Sequence, residues 1–209
     1  NLSSVTIGNG IRAIGSEAFY GCQRQTAVYI SDLSAWCQIE FEDVYSNPLS
    51  EARNLYHNGS QVAELIIPSD VTKVRDYTFS GYDYLESVSI HNGVTEIGEG
   101  AFLDCSNLAY VTIPESVVKI GSGAFYYCYN LTSVTIPNSI TEIGDSTFEL
   151  CDGLTSVYCE AEVPPVGGEK MFFENAPSRK IYVPAASVDA YKSAKYWSDY
   201  ASDIVGYDF

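Results

Sequence analysis

The sequence predicts a repeat solenoid, a stack of short coils around one apolar column, and three observations carry that prediction. A 23-residue unit recurs, with copies beginning at Leu2, Val62, Leu85, Leu108 and Leu131. Its aliphatic positions align at fixed offsets: Val5, Leu65, Val88, Val111 and Val134, then Ile7, Ile67, Ile90, Ile113 and Ile136, then Ile14, Val74, Ile97, Ile120 and Ile143. An aromatic column follows at Phe19, Phe79, Phe102, Phe125 and Phe148. A fixed period of roughly 20 to 50 residues marks a stacked architecture, because one unit cannot bury its apolar face without neighbours.

Each element of the unit has a local reason. The alternation that opens it, V-x-I, is the period-2 mark of a strand with one buried face. Stacked copies of that strand form a parallel sheet, with neighbours about 4.7–4.9 Å apart. Pro68, Pro114 and Pro137 follow directly, and proline, lacking an N–H, belongs at a strand end. Gly15, Gly98, Gly121 and Gly144 mark the next turn, where a positive φ is expected. Arg75 stands in that column, so a variant turn is expected in its copy.

Along the chain, residues 2–24 form the first coil. The sequence opens at Asn1-Leu2 without an initiator Met, which reads as a trimmed chain whose natural N-terminus and covering coil are missing. Residues 25–61 are the irregular member, 14 residues longer than the period allows. Within it Ala27 to Ile30 reads as a strand, Asp32 to Cys37 as a short helix capped by Ser31 or Asp32, and Asn54 to Ile67 as a hairpin around Asn58-Gly59. Trp36 is either a binding anchor or a plug for the core at this insertion. Residues 62–153 are four regular coils, and 154–209 supply a last coil and a C-terminal cap, with a strand at Lys180 to Val183 and a helix from Ala186 to about Tyr196. The whole of 1–209 reads as a single solenoid domain, expected to be a monomer.

Composition narrows the function classes. Net charge is −16, and between Asp76 and Glu169 fourteen acids face the single basic residue Lys119. Such a surface repels phosphate backbones and anionic membranes, so neither nucleic acid nor a membrane surface is expected as a partner. No apolar run reaches the length of a membrane span. Four of the six cysteines, Cys22, Cys105, Cys128 and Cys151, share one repeat offset, with Tyr82 in that place in the copy from Val62. A column of packed, half-buried thiols is the expectation; stacking also brings their Cα atoms within disulfide range. There is no C-x-x-C to suggest zinc. His57 and His91 read as solvated loop residues, and no spacing pairs either with a nucleophile. Asp76, Glu99 and Asp145 recur at one offset and read as a solvated edge or a calcium-binding row. No cofactor is implied and no catalytic residue is assigned. A hydrolase remains a remote alternative, although a stack of this length offers a shallow surface rather than a cleft between paired acids.

The sharpest candidate is the outward strand row, Ser4 and Thr6, Ala27 and Tyr29, Glu64 and Ile66, Ser87 and Ser89, Tyr110 and Thr112, Ser133 and Thr135, Ser156 and Tyr158. Hydroxyls interleaved with tyrosines suit recognition of a protein or glycan, since tyrosine gives contact area at low entropy cost. The binding positions assigned are Ser87, Ser89, Tyr110, Thr112, Ser133, Thr135, Ser156, Tyr158 and Tyr29. Serine and threonine are equally the ordinary fillers of exposed strand sites.

The unit I-P-x-x-V-x-x-I-G-x-x-A-F-x-x-C resembles the BspA-like leucine-rich repeat of surface and secreted proteins of anaerobic oral and gut bacteria. The insertion at Asp32 to Cys37 and the ending from Ile181-Tyr182-Val183-Pro184 through Trp197 to Phe209 also look like segments of gut members. The resemblance implies a leucine-rich-repeat right-handed solenoid with a parallel sheet and extracellular or cell-surface display, often by a lipoprotein anchor. It further implies adhesion to a host or bacterial surface protein or glycan, without enzymatic activity. A passive spacer of a larger surface protein is the alternative function.

Overall fold

The computed structural model describes residues 2–209, so Asn1 lies outside the described residues. The chain winds as a solenoid whose longest wall is built from parallel strands. Ser4–Thr6, Ala27–Ile30 and Leu55–His57 pair in one run. Glu64–Ile66, Ser87–Ser89 and Tyr110–Thr112 pair in a second. Ser133–Ile136, Ser156–Cys159, Lys180–Pro184 and Ile204–Tyr207 pair in a third. Register follows the repeat, Val88 lying beside Val111 and Val134 beside Val157, so each column of the sequence becomes a row in space. A second wall of two-residue strands joins Lys73–Val74, Glu96–Ile97, Lys119–Ile120 and Glu142–Ile143.

The third wall carries the phenylalanines. Backbone N–H groups of Phe79, Phe102 and Phe125 donate to the carbonyls of Ala101, Ala124 and Thr147 in the following coils, at 2.9, 2.8 and 2.9 Å. This ladder holds Phe79, Phe102, Phe125, Phe148 and Phe172 in one fully buried stack, with ring centroids 5.3–5.6 Å apart and planes within 10°. Phe172 is a sixth member of the sequence column, displaced by one residue from the period. Phe19, in the first coil, is only half buried.

On the short-strand wall, Lys73 pairs with Glu96 (3.1 Å) and Lys119 with Glu142 (2.9 Å). Lys119, the single base of the acidic stretch, thus lies beside Glu96 on one strand and Glu142 on the next. Contact with Glu142 raises its pKa.

The glycine column has a different cause from the one expected. Gly98, Gly121 and Gly144 are not at positive φ. They sit where successive coils touch backbone to backbone: a Cβ on Gly121 would lie 2.5 Å from the Glu99 nitrogen and 2.6 Å from the Gly98 carbonyl carbon. The left-handed turn comes two residues later, at Glu17, Tyr77, Gly100, Gly123, Ser146 and Lys170, all with φ between 53° and 58°. Tyr77 shares that conformation, so the copy containing Arg75 has the common turn, not a variant. Arg75 fits because it faces the irregular coil, where its guanidinium meets Glu40 at 2.8 Å. Gly121→Ala is therefore expected to cost roughly 1–3 kcal/mol by overpacking. Gly10→Ala, with nothing within 4 Å of its Cβ, should be nearly neutral in the same urea titration.

The irregular coil substitutes side chains for the missing ladder. Asp32 caps the helix Leu33–Cys37, its carboxylate accepting from the Ala35 N–H at 2.9 Å. Trp36 is buried and donates its indole N–H to the Thr78 carbonyl (3.1 Å), so it is the plug and not an exposed anchor. Asn47 donates its amide to the Tyr77 (2.6 Å) and Thr78 (3.0 Å) carbonyls. The hairpin is smaller than the sequence suggested. Leu55–His57 returns only as Ser60–Gln61 around Asn58-Gly59, with φ of 52° and 83°. Glu64–Ile66 belongs instead to the parallel wall, and Leu55–His57 joins Ala27–Ile30. Tyr82 replaces cysteine here because its hydroxyl reaches the Leu55 and Val62 carbonyls beside the hairpin.

The C-terminal helix is Val188–Ser193, shorter than expected and preceded by a single 3-10 turn at Ala185–Ser187. Beyond it the chain adds a strand the sequence did not suggest, Ile204–Tyr207, parallel to Lys180–Pro184. Trp197 and Tyr200 close the phenylalanine stack against Phe172, at 5.9 and 5.6 Å.

Candidate functional site

Packing accounts for most of the reactive side chains. The column cysteines are fully buried from Cys105 onward, not half buried as expected, and all six cysteines are free. Three of them donate to the phenylalanine carbonyl of the coil before: Cys105 to Phe79 (3.2 Å), Cys128 to Phe102 (3.3 Å) and Cys151 to Phe125 (3.1 Å). Burial pushes the Cys151 thiol up to about 12 and raises that of Cys128 well above its ordinary value. A thiol held neutral in this way is neither nucleophile nor metal ligand at neutral pH.

The histidines are only partly solvated, and of the two His91 lies in a loop while His57 does not. His91 is half buried; its Nε2–H donates to the Pro68 carbonyl (2.9 Å) while Nδ1 accepts from the Gly93 N–H (2.9 Å), which fixes the tautomer. His57 ends a strand, also half buried, with the Asn58 amide 3.1 Å from its Nε2. Among the described residues neither is hydrogen-bonded to a serine, threonine or cysteine side chain. The recurring carboxylates join coils: Asp76 accepts from the Glu99 N–H (2.9 Å) and Asp145 from the Glu169 N–H (2.7 Å). Among the described residues no group of three His, Cys, Asp or Glu is placed to hold a metal ion.

The outward face of the long-strand wall is where unengaged chemistry collects. Alternation along each strand buries Val88, Val134 and Val157 and turns Ser89, Thr112, Ser133 and Thr135 to solvent. Ser87, Ser156 and Tyr158 are half buried, and Ala27 is buried, so it does not belong to the exposed row. Tyr110 stands out at 70 % exposure and Ile66 at 73 %. Aromatic groups flank the hydroxyls. Tyr29 stacks on Tyr56 at one end (5.0 Å) and Tyr158 on Tyr182 at the other (4.7 Å), with Tyr207 edge-on to both of the latter. Four strand steps separate Ile66 from Tyr158, roughly 19 Å at sheet spacing.

Four of the assigned binding positions line two hollows along opposite edges of the wall, and Ser89, Ser133, Ser156, Tyr158 and Tyr29 line neither. Ser87 and Tyr110 line one of about 490 Å³ together with Glu64, Tyr84 and Glu86. Asn107 and Asn130 complete it, the Asn130 amide donating to the Asn107 carbonyl oxygen at 3.1 Å. Thr112 and Thr135 line the other, of about 640 Å³, beside His91, Glu115 and Glu160. Burial, and secondarily Glu115, raise the pKa of Glu160. Sequence reasoning missed Tyr56 and Tyr182 because they lie outside the regular copies. It missed Tyr84, Asn107 and Asn130 because it read only the V-x-I positions, although these three recur at the fixed 23-residue offset.

A stacked, parallel-stranded coil of this length with a hydroxyl-rich outer wall is a leucine-rich-repeat solenoid. The model of the BspA type leucine rich repeat region matches six copies over residues 1–46 and 52–185, and the chain belongs to that family. Three similar crystal structures share the fold. The T. pallidum leucine rich repeat protein TpLRR is 23 % identical with a TM-score of 0.56, over 69 % of this chain and 68 % of that one. The pneumococcal vaccine antigen PcpA is 15 % identical with a TM-score of 0.62, over 100 % of this chain and 68 % of its own. A leucine-rich repeat protein from Bacteroides ovatus is 21 % identical with a TM-score of 0.50, over 99 % of this chain and 66 % of its own. The chain therefore spans about two thirds of each. No curated protein matches the sequence. Among the described residues no helix is long and apolar enough to cross a membrane.

Proposed function

We propose that the outer long-strand face is a recognition surface and that the protein is a non-enzymatic binding module displayed outside the cell. Ser87, Ser89, Tyr110, Thr112, Ser133, Thr135, Ser156, Tyr158 and Tyr29 supply its contacts, and its ligand is a macromolecular surface. The observation that carries this reading is Tyr110: a 70 %-exposed aromatic on a central strand, bordered by small hydroxyl side chains and opening onto a hollow. An exposed tyrosine has no packing to preserve, and such aromatics dominate the energetics of protein interfaces.

The test is binding of the intact chain to a panel of matrix proteins and a glycan array, with and without calcium. Tyr110→Ala is expected to leave the unfolding midpoint within about 0.5 kcal/mol of its original value and to weaken binding at least tenfold. Ligand capture that ignores Tyr110→Ala and Thr112→Ala together would move recognition off this face. Failure to capture any probe would favour the spacer reading.

A further inference from the structure

We infer that the hollow between Tyr84 and Tyr110 is a docking site for a lysine or arginine side chain of a partner protein's basic segment; this rests on the reading of the strand face as a recognition surface. The hollow offers acceptors and π-faces. Glu64 and Glu86 are exposed, and among the described residues neither enters any of the chain's ion pairs. Their situation contrasts with Glu40, Glu96, Glu142, Asp104 and Asp203, each of which holds a lysine or arginine of this chain.

The backbone donors of the hollow are already engaged, as is one N–H of each of its two asparagine amides. The backbone N–H groups of Ala109 and Tyr110 both point to the Glu86 carbonyl, at 2.9 and 3.3 Å. The Asn107 amide donates to the Asp83 carbonyl (2.7 Å) and the Asn130 amide to Asn107. Lysine and arginine carry only donors and a positive charge, so they match the two unpaired carboxylates of Glu64 and Glu86, while the Ser87, Tyr84 and Tyr110 hydroxyls can accept from them as well. Tyr110 and Tyr84, 70 % and 43 % exposed, both line the hollow, and a cation over a tyrosine face is attracted by its quadrupole. The net charge of −16 steers a basic segment towards the surface as a whole. The hollow supplies the specific part of the attraction.

The experiment measures binding of three fluorescent ten-residue peptides, identical except for two arginines, two lysines or two alanines, to the intact chain at low and physiological salt. Expected is at least tenfold tighter binding of a cationic peptide than of the alanine one. Glu64→Gln with Glu86→Gln should remove that preference, while Glu115→Gln with Glu160→Gln on the opposite edge should keep it. Equal losses in both double variants would mean diffuse attraction to an acidic protein and would overturn the inference. So would a preference that survives Glu64→Gln with Glu86→Gln. If a ligand found in the wider screen depends on Tyr110 yet ignores both glutamates, the recognition face stands and only the basic-segment assignment falls.

Discussion

Phe125→Ala is expected to destabilise the protein by about 3–5 kcal/mol, the range for truncating a buried phenylalanine. Phe125 is fully buried, with Phe102 stacked on one face at 5.4 Å and Phe148 on the other at 5.3 Å. Alanine removes two ring contacts, each adding about 0.5–1.5 kcal/mol beyond area burial. It also opens a cavity whose walls are held by the backbone ladder and cannot collapse. In a solenoid each coil touches only its neighbours, so damage to a middle coil also weakens the coupling between the two halves. The protein reports on both halves, because Trp36 lies in the second coil and Trp197 in the cap, both buried. Guanidinium titrations of single-tryptophan forms should show coincident transitions before substitution and separated ones after it. Phe19→Ala is the control: half buried and in the first coil, it should cost less than half as much. A cost below about 1 kcal/mol at Phe125 would mean that the column does not carry the core.

The period made that column legible, because residues equivalent in a fixed repeat must lie side by side once the strands pair in register. The same logic placed Val88 inward and Ser89 outward, so the exposed row could be read before the fold was known. What the period cannot encode lies where it breaks. The insertion before Val62 hid the role of Leu55–His57 as a wall strand, and it hid Tyr56 as the stacking partner of Tyr29. Trp36 and Asn47 do the work of backbone N–H groups, a substitution that hydrophobic patterning does not register. Glycine was correctly marked but for the wrong reason: at Gly121 the constraint is the neighbouring backbone, which a single unit read alone does not contain. The hollow at Tyr84 and Tyr110 was invisible for a similar reason, since its walls come from flanks of three successive coils.

The second large effect is expected at Arg179, which the sequence analysis did not single out. Arg179 is 8 % exposed, and its guanidinium lies 4.9 Å over the Tyr200 ring and faces Phe172, the end of the aromatic stack. It donates to the Asp203 carboxylate at 2.5 Å, to the Asn175 side chain at 3.0 Å and to the Phe172 carbonyl. Arg179→Ala strips the cation from Asp203 and the partner from a buried carbonyl; breaking one half of a fully buried pair typically costs about 3–5 kcal/mol, and the lower end is expected here because Asp203 is partly exposed. Arg179→Lys should recover less than half of that, because an ammonium cannot match three acceptors and a ring with one planar fork. Asp203→Asn should cost less than Arg179→Ala, since Asp203 is partly exposed and its removal leaves the arginine other acceptors. Raising salt from 0.1 to 1 M should weaken the Lys119–Glu142 pair and leave the Arg179 contribution nearly unchanged, because screening acts on the exposed pair. Trp197 fluorescence follows the event directly: its ring packs on Phe172 at 5.9 Å, and its indole N–H is held by the Pro165 carbonyl at 2.9 Å. Asp203 immediately precedes Ile204–Tyr207, so loss of the arginine should also loosen that last strand. Tyr207 would then leave its edge-on contacts with Tyr158 and Tyr182, at 5.7 and 5.5 Å, and the far end of the exposed face would be disordered by a residue that never touches it.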